Sequence, residues 1–402
     1  MSEPHRVTRR QALTSLALAA GGATAAATAR AQSPAASPAG GARAAAPNPA
    51  AGTADLFSVA QYEERARGRV SVPAWEYYDQ GCADDLTVRW NREALQRLRL
   101  ESRVMVDVET IDTSTTLLGR SLPHPILLAP AAAHMLVHPE GEVATARGAG
   151  AASATMVLSM NANCAVETVT AASTQPIWFQ LYVDRDRAIA KEVIQRAERA
   201  GCKALCVTVD QPVIYARDRV SRHAEALRAL PLPNVPRLIP GGLTQTSANR
   251  TRSLTWKDLE WFRSVTRLPI VLKGVMHPDD AEQAVQAGAD AIIVSNHGGR
   301  ALDGVAATID ALPRVADRVA RRMPVLMDGG IRRGGDVLKA LARGADAVLI
   351  GRPYLYGLAV DGSDGVRHIV DILRRELEAA MALTGRTTIA RIDRTVLWPD
   401  TP

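Results

Sequence analysis

The sequence has few aromatic residues, few cysteines and no segment that suits a membrane span. Phe, Trp and Tyr together form 4% of the 402 residues, and no Lys/Arg run carries interleaved aromatics, which argues against nucleic-acid binding. The four cysteines, Cys82, Cys164, Cys202 and Cys206, match no common zinc-binding spacing, so no metal site is predicted. Cys202 and Cys206 are expected to pack as small apolar side chains.

The first 31 residues differ in composition from the rest of the chain. Thr8-Arg9-Arg10-Gln11-Ala12-Leu13 precedes an uncharged run, rich in Ala, Leu and Gly, that extends to Ala29. This run is too short and too alanine-rich for a good membrane span. Together with the small-x-small pattern of Ala29-Arg30-Ala31, it predicts a twin-arginine export signal at residues 1–31 and a periplasmic protein. The alternative is a disordered Ala-rich tail.

Residues 32–54 are mainly Ala, Pro, Gly and Ser. They predict a flexible linker, because they offer almost no large apolar side chains to a core. Removal of the predicted signal takes away four arginines and one glutamate, which lowers the net charge from +6 to +3. The basic character of the chain therefore belongs partly to the signal.

The remaining residues predict a helical cap at 55–125, followed by a barrel with a C-terminal tail at 126–402. Apolar runs alternate with helical segments that often end in Gly, the usual helix stop. The predicted strands are 126–129, 156–160, 177–182, 204–209, 269–273, 290–295, 324–327 and 346–350. The predicted helices are 56–67, 73–79 and 89–97 in the cap, then 141–152, 164–172, 186–200, 256–265, 278–287, 307–321, 334–343 and 364–383. Eight βα units predict an α/β fold, a (β/α)8 TIM barrel. Residues 211–255 predict a long loop after the fourth strand that acts as a lid or gate.

Polar side chains follow the predicted strands where a barrel keeps its chemistry, at their C-terminal ends. The most informative stretch is Ile292-Ile293-Val294-Ser295-Asn296-His297-Gly298-Gly299-Arg300, a buried strand that ends in a polar turn. His297 can act as a base and Arg300 as a carboxylate-binding fork on the same loop. An acidic small-molecule substrate is therefore predicted.

Gly-rich turns follow the seventh and eighth strands, and each carries an arginine, Arg332 or Arg352. Such turns before helices form the common phosphate site of barrels. No Walker-type loop occurs, so the phosphate is expected to belong to a cofactor. Lys273 adds a cation that would stabilise an anionic ring, which favours FMN. Pyridoxal phosphate is the rival, with Lys273 as the Schiff-base lysine.

From about residue 56 onward the chain resembles the FMN-dependent 2-hydroxy acid oxidase/dehydrogenase family, which includes glycolate and lactate oxidases, mandelate dehydrogenase and the flavin domain of flavocytochrome b2. The motifs that carry the resemblance are Tyr77-Tyr78-x-x-Gly81, His138-Pro139-Glu140-Gly141-Glu142, Phe179-Gln180-Leu181-Tyr182, Thr208-Val209-Asp210-x-Pro212, Leu254-Thr255-Trp256-Lys257-Asp258, Leu272-Lys273-Gly274, Ser295-Asn296-His297-Gly298-Gly299-Arg300, Asp328-Gly329-Gly330-Ile331-Arg332-Arg333-Gly334 and Gly351-Arg352-Pro353.

The resemblance implies a role for each matching position. His297 would be the catalytic base, Asp210 would orient it, and Tyr182 would hydrogen-bond the substrate near its reacting carbon. The substrate carboxylate would be held by Tyr77, Arg217 and Arg300. The FMN-binding residues would be Ala131, Ala132, Ser159, Gln180, Thr208, Lys273, Ser295, Asp328, Gly330, Arg332, Gly351 and Arg352.

The expected reaction is the FMN-dependent oxidation of an (S)-2-hydroxy acid, L-lactate-like or mandelate-like, to the 2-oxo acid. Electrons would pass to oxygen, a cytochrome or a quinone; a respiratory acceptor is preferred, although Ala132 mildly favours oxygen. Asn161 stands where several members of the family have an aromatic residue that lines the substrate pocket, so the resemblance does not decide which 2-hydroxy acid is the substrate. A homotetramer and a possible membrane association are also expected. The alternatives are an FMN-dependent isomerase of a prenyl diphosphate and a non-catalytic periplasmic ligand-binding barrel.

Overall fold

The structure, a computed structural model, describes residues 55–228, 230–235 and 246–399. The predicted export signal at 1–31 and the predicted linker at 32–54 lie outside these residues. Part of the predicted loop at 211–255 also lies outside them.

Three helices and a two-stranded hairpin precede the barrel in the described residues. The helices are α1 (Val59–Arg67), α2 (Val72–Asp79) and α3 (Leu86–Arg97), and the strands of the hairpin are β1 (Thr115–Leu117) and β2 (Arg120–Leu122). Ser58 and Ser71 begin the first two helices, because their side chains accept hydrogen bonds from the backbone of the first turn. The hairpin was not predicted. Its Leu117 and Leu122 pack against the side chains that fill the barrel.

Eight parallel strands of the described chain close into a barrel, which confirms the predicted TIM-barrel fold. They are β3 (Ile126–Leu128), β4 (Met156–Ser159), β5 (Ile177–Leu181), β6 (Leu205–Thr208), β7 (Ile270–Lys273), β8 (Ala291–Val294), β9 (Val325–Asp328) and β10 (Ala347–Ile350). The strands follow one another in chain order around the barrel, and β10 pairs with β3 to close it. All of them are buried, as expected for a parallel sheet covered by helices.

The barrel helices are α4 (Gly141–Ala151), α5 (Val166–Ala172), α6 (Arg187–Arg199), α7 (Asp218–Ser221), α8 (Ala224–Arg228), α9 (Asp258–Val265), α10 (Pro278–Gln286), α11 (Thr308–Val319), α12 (Gly334–Ala342) and α13 (Arg352–Leu383). The short helices α7 and α8 belong to the predicted loop after the fourth barrel strand. Since they lie beside the barrel mouth, this loop contributes ordered walls to the cavity described below.

The last helical segment, α13, consists of two helices joined by a kink. The predicted helix at 364–383 corresponds to the part after the kink, whereas the part before it, which begins at Arg352 directly after β10, was not predicted. A kink with non-helical backbone angles at 361–362 divides the helix. Gly357 packs so closely on Gly365 that a Cβ on Gly357 would lie 2.4 Å from the Gly365 carbonyl oxygen. A side chain at either position would clash, so this contact requires glycine at both, although glycine disfavours helix locally.

The four cysteines are buried and unpaired with one another. Burial raises the pKa of Cys202 and Cys206 to about 12, so these thiols stay protonated and pack as apolar groups. Within the described residues, no cluster of side chains suits a metal ion, and none of the helices is long and apolar enough to cross a bilayer.

Candidate active site

Period-two alternation along the barrel strands directs a ring of polar side chains into the barrel. Lys273 shares the interior face with Val271, and Gln180 shares it with Trp178, two members of the interior apolar cluster. A cavity of about 310 Å³ opens above this cluster, at the C-terminal ends of the strands. Most of the predicted site residues line it: Tyr77, Ala131, Ala132, Ser159, Gln180, Tyr182, Thr208, Arg217, Lys273, His297, Arg300, Asp328, Gly330, Arg332, Gly351 and Arg352. The other two, Asp210 and Ser295, contact lining residues from behind.

His297 follows β8 in a left-handed backbone conformation, with φ of 60°. A non-glycine residue in this region carries strain, which is a common feature of functional sites. The Nδ1 atom of His297 lies 3.0 Å from Oδ1 of Asp210, and its Nε2 atom lies 3.3 Å from the hydroxyl of Tyr182. Gly274 permits this pairing, because a Cβ there would lie 2.4 Å from the Cβ of Asp210.

The hydrogen bonds of His297 determine its tautomer. A carboxylate only accepts, so Nδ1–H donates to Asp210 and Nε2 keeps its lone pair toward the cavity. Burial, helped by the nearby Lys273 charge, lowers the pKa of His297 to about 4, although Asp210 opposes this shift. At neutral pH the imidazole is therefore an uncharged base with a fixed orientation.

Lys273 lies at the end of β7 within a buried polar triangle. Its Nζ donates to Ser295 Oγ at 2.9 Å and lies 3.2 Å from Asp328 Oδ2, while Ser295 donates to Asp328 Oδ1 at 2.7 Å. Burial alone would lower the pKa of Lys273, but the Asp328 and Asp210 carboxylates outweigh it and raise the pKa. Lys273 is therefore a permanent cation, which suits stabilisation of an anionic ring and not a Schiff base.

Three neighbouring strands present a chain of hydrogen-bonding side chains to the cavity. Ser159 donates to Gln180 Oε1 at 3.1 Å, and Gln180 Nε2 donates to Thr208 Oγ1 at 2.9 Å. Ser159 and Gln180 are register partners on β4 and β5, so the parallel ladder itself brings them together. Donors and acceptors fixed in this way can recognise the polar edge of a planar ring.

The predicted carboxylate-binding residues converge on the other side of His297. Arg300 donates from Nη1 to the carbonyls of Tyr77 and Gln80, both at 2.7 Å, and its guanidinium lies 5.4 Å from the centre of the Tyr77 ring. Arg217 donates from Nη2 to the carbonyl of Arg300 at 2.8 Å, while its buried Nε has no hydrogen-bond partner. The backbone therefore holds these guanidiniums in place, and donors remain for an anion.

The predicted phosphate end of the cavity also contains donors without partners. Arg332 has a buried Nε with no hydrogen-bond partner, and Gly351 leaves open space where a Cβ would otherwise stand. Arg352 donates to the carbonyls of Tyr78, Asp79 and Gly298, which uses three of its five N–H groups. Arg332 Nε also lies 3.9 Å from Glu63 Oε2, beyond hydrogen-bond distance. Its free hydrogen-bond donor and the space beside Gly351 fit the phosphate of FMN.

Gly330 has a structural role that the sequence analysis did not identify. A Cβ at this position would lie 2.1 Å from the backbone oxygen of Asn91 in α3, and φ is 82°. Glycine is therefore required for packing of the N-terminal helix against the barrel mouth, whatever its contact with a phosphate.

Arg250 and Gln211 are among the lining residues that the sequence analysis missed. Arg250 lies at the far end of the loop after β6, stacked 3.4 Å above the ring centre of Tyr182. Gln211, the unspecified position of the Thr208-Val209-Asp210-x-Pro212 motif, accepts from Tyr182 and Arg250 and donates to the carbonyl of Arg300. The only available sequence signal was the place of Gln211 directly after Asp210. Nothing local marked Arg250.

The cavity is strongly positive. Asp328 is the one carboxylate among its lining residues. The lining includes six side chains of Lys or Arg: Arg217, Arg250, Lys273, Arg300, Arg332 and Arg352. Burial and Arg217 lower the pKa of Arg300 to about 9, so it remains charged at neutral pH. This excess of positive charge fits anionic ligands at both ends of the cavity.

The model of the FMN-dependent dehydrogenase family matches residues 66–399. An L-lactate oxidase from Nostoc sp. is 45% identical over 353 residues, which cover 84% of this chain and 96% of the relative. Glycolate oxidase 3 from Arabidopsis thaliana is 43% identical, over 86% of this chain and 97% of the relative.

Solved structures agree with these sequence relatives. A crystal structure of mandelate oxidase with (S)-4-hydroxymandelic acid has a TM-score of 0.80 and 36% identity, over 85% of this chain and 98% of that chain. The recombinant flavin-binding domain of baker's yeast flavocytochrome b2 has a TM-score of 0.78 and 35% identity, over 86% of this chain and 87% of that one.

Proposed function

The chain belongs to the FMN-dependent dehydrogenase family, and from this premise we propose that it oxidises a small (S)-2-hydroxy acid to the corresponding 2-oxo acid. It is an FMN-dependent oxidoreductase. The observation that carries the proposal is the neutral His297, held by Asp210 in a cavity where Arg217 and Arg300 are not neutralised by carboxylates. This combination joins a base to an anion-binding fork.

The arginines would bind the substrate carboxylate and orient its C2 atom. Arg217 and Arg300 make their hydrogen bonds to uncharged backbone carbonyls, so a substrate anion supplies the missing charge. Burial raises the pKa of Tyr77, so its hydroxyl stays protonated and able to donate to the carboxylate. Such a clamp lowers the entropic cost of reaching the reactive geometry.

His297 would then accept a proton from the substrate at Nε2. Asp210 keeps the second nitrogen protonated and stabilises the imidazolium that forms. FMN, held by the residues named above, would supply the two-electron acceptor for this oxidation. Tyr182, whose hydroxyl lies 3.3 Å from Nε2, would position the substrate hydroxyl beside the base.

Neither alternative from the sequence analysis is favoured. A non-catalytic ligand-binding barrel has no use for the base pair of His297 and Asp210, and the relatives are enzymes. A prenyl diphosphate isomerase would need a long apolar pocket, whereas Arg217, Arg250 and Arg300 make this end of the cavity cationic.

Export and the electron acceptor belong to the same proposal. Twin-arginine export carries folded proteins, so FMN would be loaded in the cytoplasm and carried across by residues 1–31. In the periplasm the reduced enzyme would pass its electrons to a respiratory acceptor. A homotetramer, as the family resemblance implies, is proposed as well. Replacement of Arg9 and Arg10 with Lys, followed by cell fractionation, tests the export step: enzyme that still reaches the periplasm would contradict it.

The decisive experiment is anaerobic reduction of the bound flavin with a panel of 2-hydroxy acids, followed by admission of air. We expect bleaching with at least one (S)-2-hydroxy acid and slow reoxidation by oxygen. The His297→Gln variant should keep its FMN and lose most of the bleaching rate. A variant that is reduced at near-normal rate would refute the assignment of the base, and stoichiometric peroxide at the full turnover rate would refute the respiratory acceptor.

A further inference from the structure

Arg250 lines the substrate side of the cavity, and the mechanism above does not use it. The residue is only 8% exposed. Its Nη1 donates to Gln211 Oε1 at 3.3 Å, while its Nε is buried without a hydrogen-bond partner. A guanidinium has five N–H donors, and burial of a charge without a counter-ion costs several kcal/mol. The missing partner is therefore expected to be an anion.

The backbone holds Arg250 beside the reaction centre. Arg250 forms an antiparallel bridge with Asp184, just beyond β5, and Thr251 N donates to Val183 O at 2.8 Å. These contacts return the far end of the loop to the barrel mouth. The guanidinium then stacks on Tyr182, whose hydroxyl in turn contacts His297. Arg250 and the proposed base His297 therefore contact the same side chain, that of Tyr182.

The first carboxylate of a 2-hydroxy acid does not require Arg250. Arg217, Arg300 and Tyr77 already form the proposed clamp for that group. The hydrogen bonds of Arg250 and Arg217 go to an amide and a backbone carbonyl, so one substrate carboxylate would leave an excess positive charge. The buried amide of Asn161 also lines the cavity.

We propose that the substrate is a 2-hydroxy dicarboxylate whose second carboxylate pairs with Arg250. The inference rests on the proposed function, because it names the substrate class of the same site. It replaces the lactate-like or mandelate-like side chain expected from the sequence with an anionic one. In the reaction the C2–H and O–H bonds break and a C=O bond forms. Two electrons and one proton would pass to FMN, and His297 would take the other proton. The second carboxylate is unchanged.

The native enzyme provides the first test. Anaerobic flavin reduction is measured with L-malate, with its analogue in which the distal carboxylate is an amide, and with L-lactate. The amide has nearly the same size as the carboxylate but no charge. Since a desolvated charge pair at a binding site contributes about 2 kcal/mol or more, the second-order rate constant for L-malate should exceed that for the amide roughly 30-fold.

Variants locate the preference at one side chain. Arg250→Gln should bring the ratio of the two rate constants close to one, and Arg250→Lys should retain part of the preference. The measured quantity is the ratio of the rate constants for L-malate and its amide analogue, so a loss of activity that affects both substrates equally does not change it. Arg252→Gln is the matched control, because it makes the same change of charge two residues away. Arg252 is exposed and does not line the cavity. Its ratio should equal that of the native enzyme.

The outcomes separate this inference from the function on which it rests. Failure of every 2-hydroxy acid to bleach the flavin would refute the proposed function. Bleaching by L-lactate or (S)-mandelate as efficient as that by L-malate, or an unchanged ratio in Arg250→Gln, would refute only the dicarboxylate. If Arg250→Gln does not fold, the native ratio and the Arg250→Lys variant still decide.

Discussion

Replacement of Asp210 by Asn tests the structural account of the base most directly. The amide oxygen of Asn can still accept from Nδ1–H of His297, so the geometry of the pair is retained while its negative charge is lost. In the resting enzyme His297 is neutral, because burial lowers its pKa to about 4. FMN content and substrate binding should therefore change little. The rate of flavin reduction should fall, since an imidazolium forms during the reaction.

The magnitude follows from the burial of the pair. Asp210 has a side chain that is 9% exposed, and it is the carboxylate that contacts His297. Loss of one partner of a buried ion pair costs about 3–5 kcal/mol, and here the cost falls on the charged state that forms in the transition state. A barrier raised by that amount slows the step roughly 150- to 5,000-fold.

Anaerobic stopped-flow reduction at saturating substrate measures this step without interference from reoxidation. The control is Glu282→Gln, the same carboxylate-to-amide change in the exposed pair with Arg322, which should leave the reduction rate unchanged. A loss of less than tenfold in Asp210→Asn would refute the proposed role of the carboxylate. A loss of FMN would indicate a structural role instead.

Three further predictions follow from the site. The reduction rate should be independent of pH between 5 and 8 and fall only near pH 4, where His297 becomes protonated. Because the pKa of His297 in the folded protein lies below its ordinary value of 6.5, the unfolded chain binds the proton first as the pH falls. The stability to urea should therefore decline as the pH falls from about 6.5 toward 4. A rate that already declines between pH 7 and 6 would contradict the lowered pKa. Lys273→Met leaves the buried Asp328 without its cation, so the melting temperature and the FMN affinity, measured by flavin fluorescence, should both drop; unchanged values would show that the ion pair contributes little. Gly330→Ala should destabilise the protein by more than about 1 kcal/mol in urea unfolding, because the new Cβ meets the Asn91 backbone at positive φ. Gly335→Ala, where a Cβ would meet only Leu100 at 3.9 Å, is the control and should be neutral or stabilising.

The predictable part of the site follows from local pattern and from one rule of architecture. Buried β-branched runs located the strands, and the barrel rule placed the functional side chains at their C-terminal ends. Lys273, His297 and Asp328 follow or end such runs, and all of them line the cavity. Export and linker boundaries rest on composition alone and stay predictions.

Long-range packing decided the rest. The close contact between Gly357 and Gly365 across the kink of α13 requires glycine at both positions. The requirement for glycine at 330 depends on α3, far away in the sequence.

The amino-acid sequence by itself predicted the barrel, the cofactor class and the pairing of His297 with Asp210, because strand periodicity and short motifs are local properties. Only the tertiary structure decided that Arg250, 40 residues beyond Asp210, stacks on Tyr182 with a buried donor unpaired. The charge balance of a pocket depends on which side chains the fold brings together. No single segment of the sequence contains all the charged side chains that line this cavity.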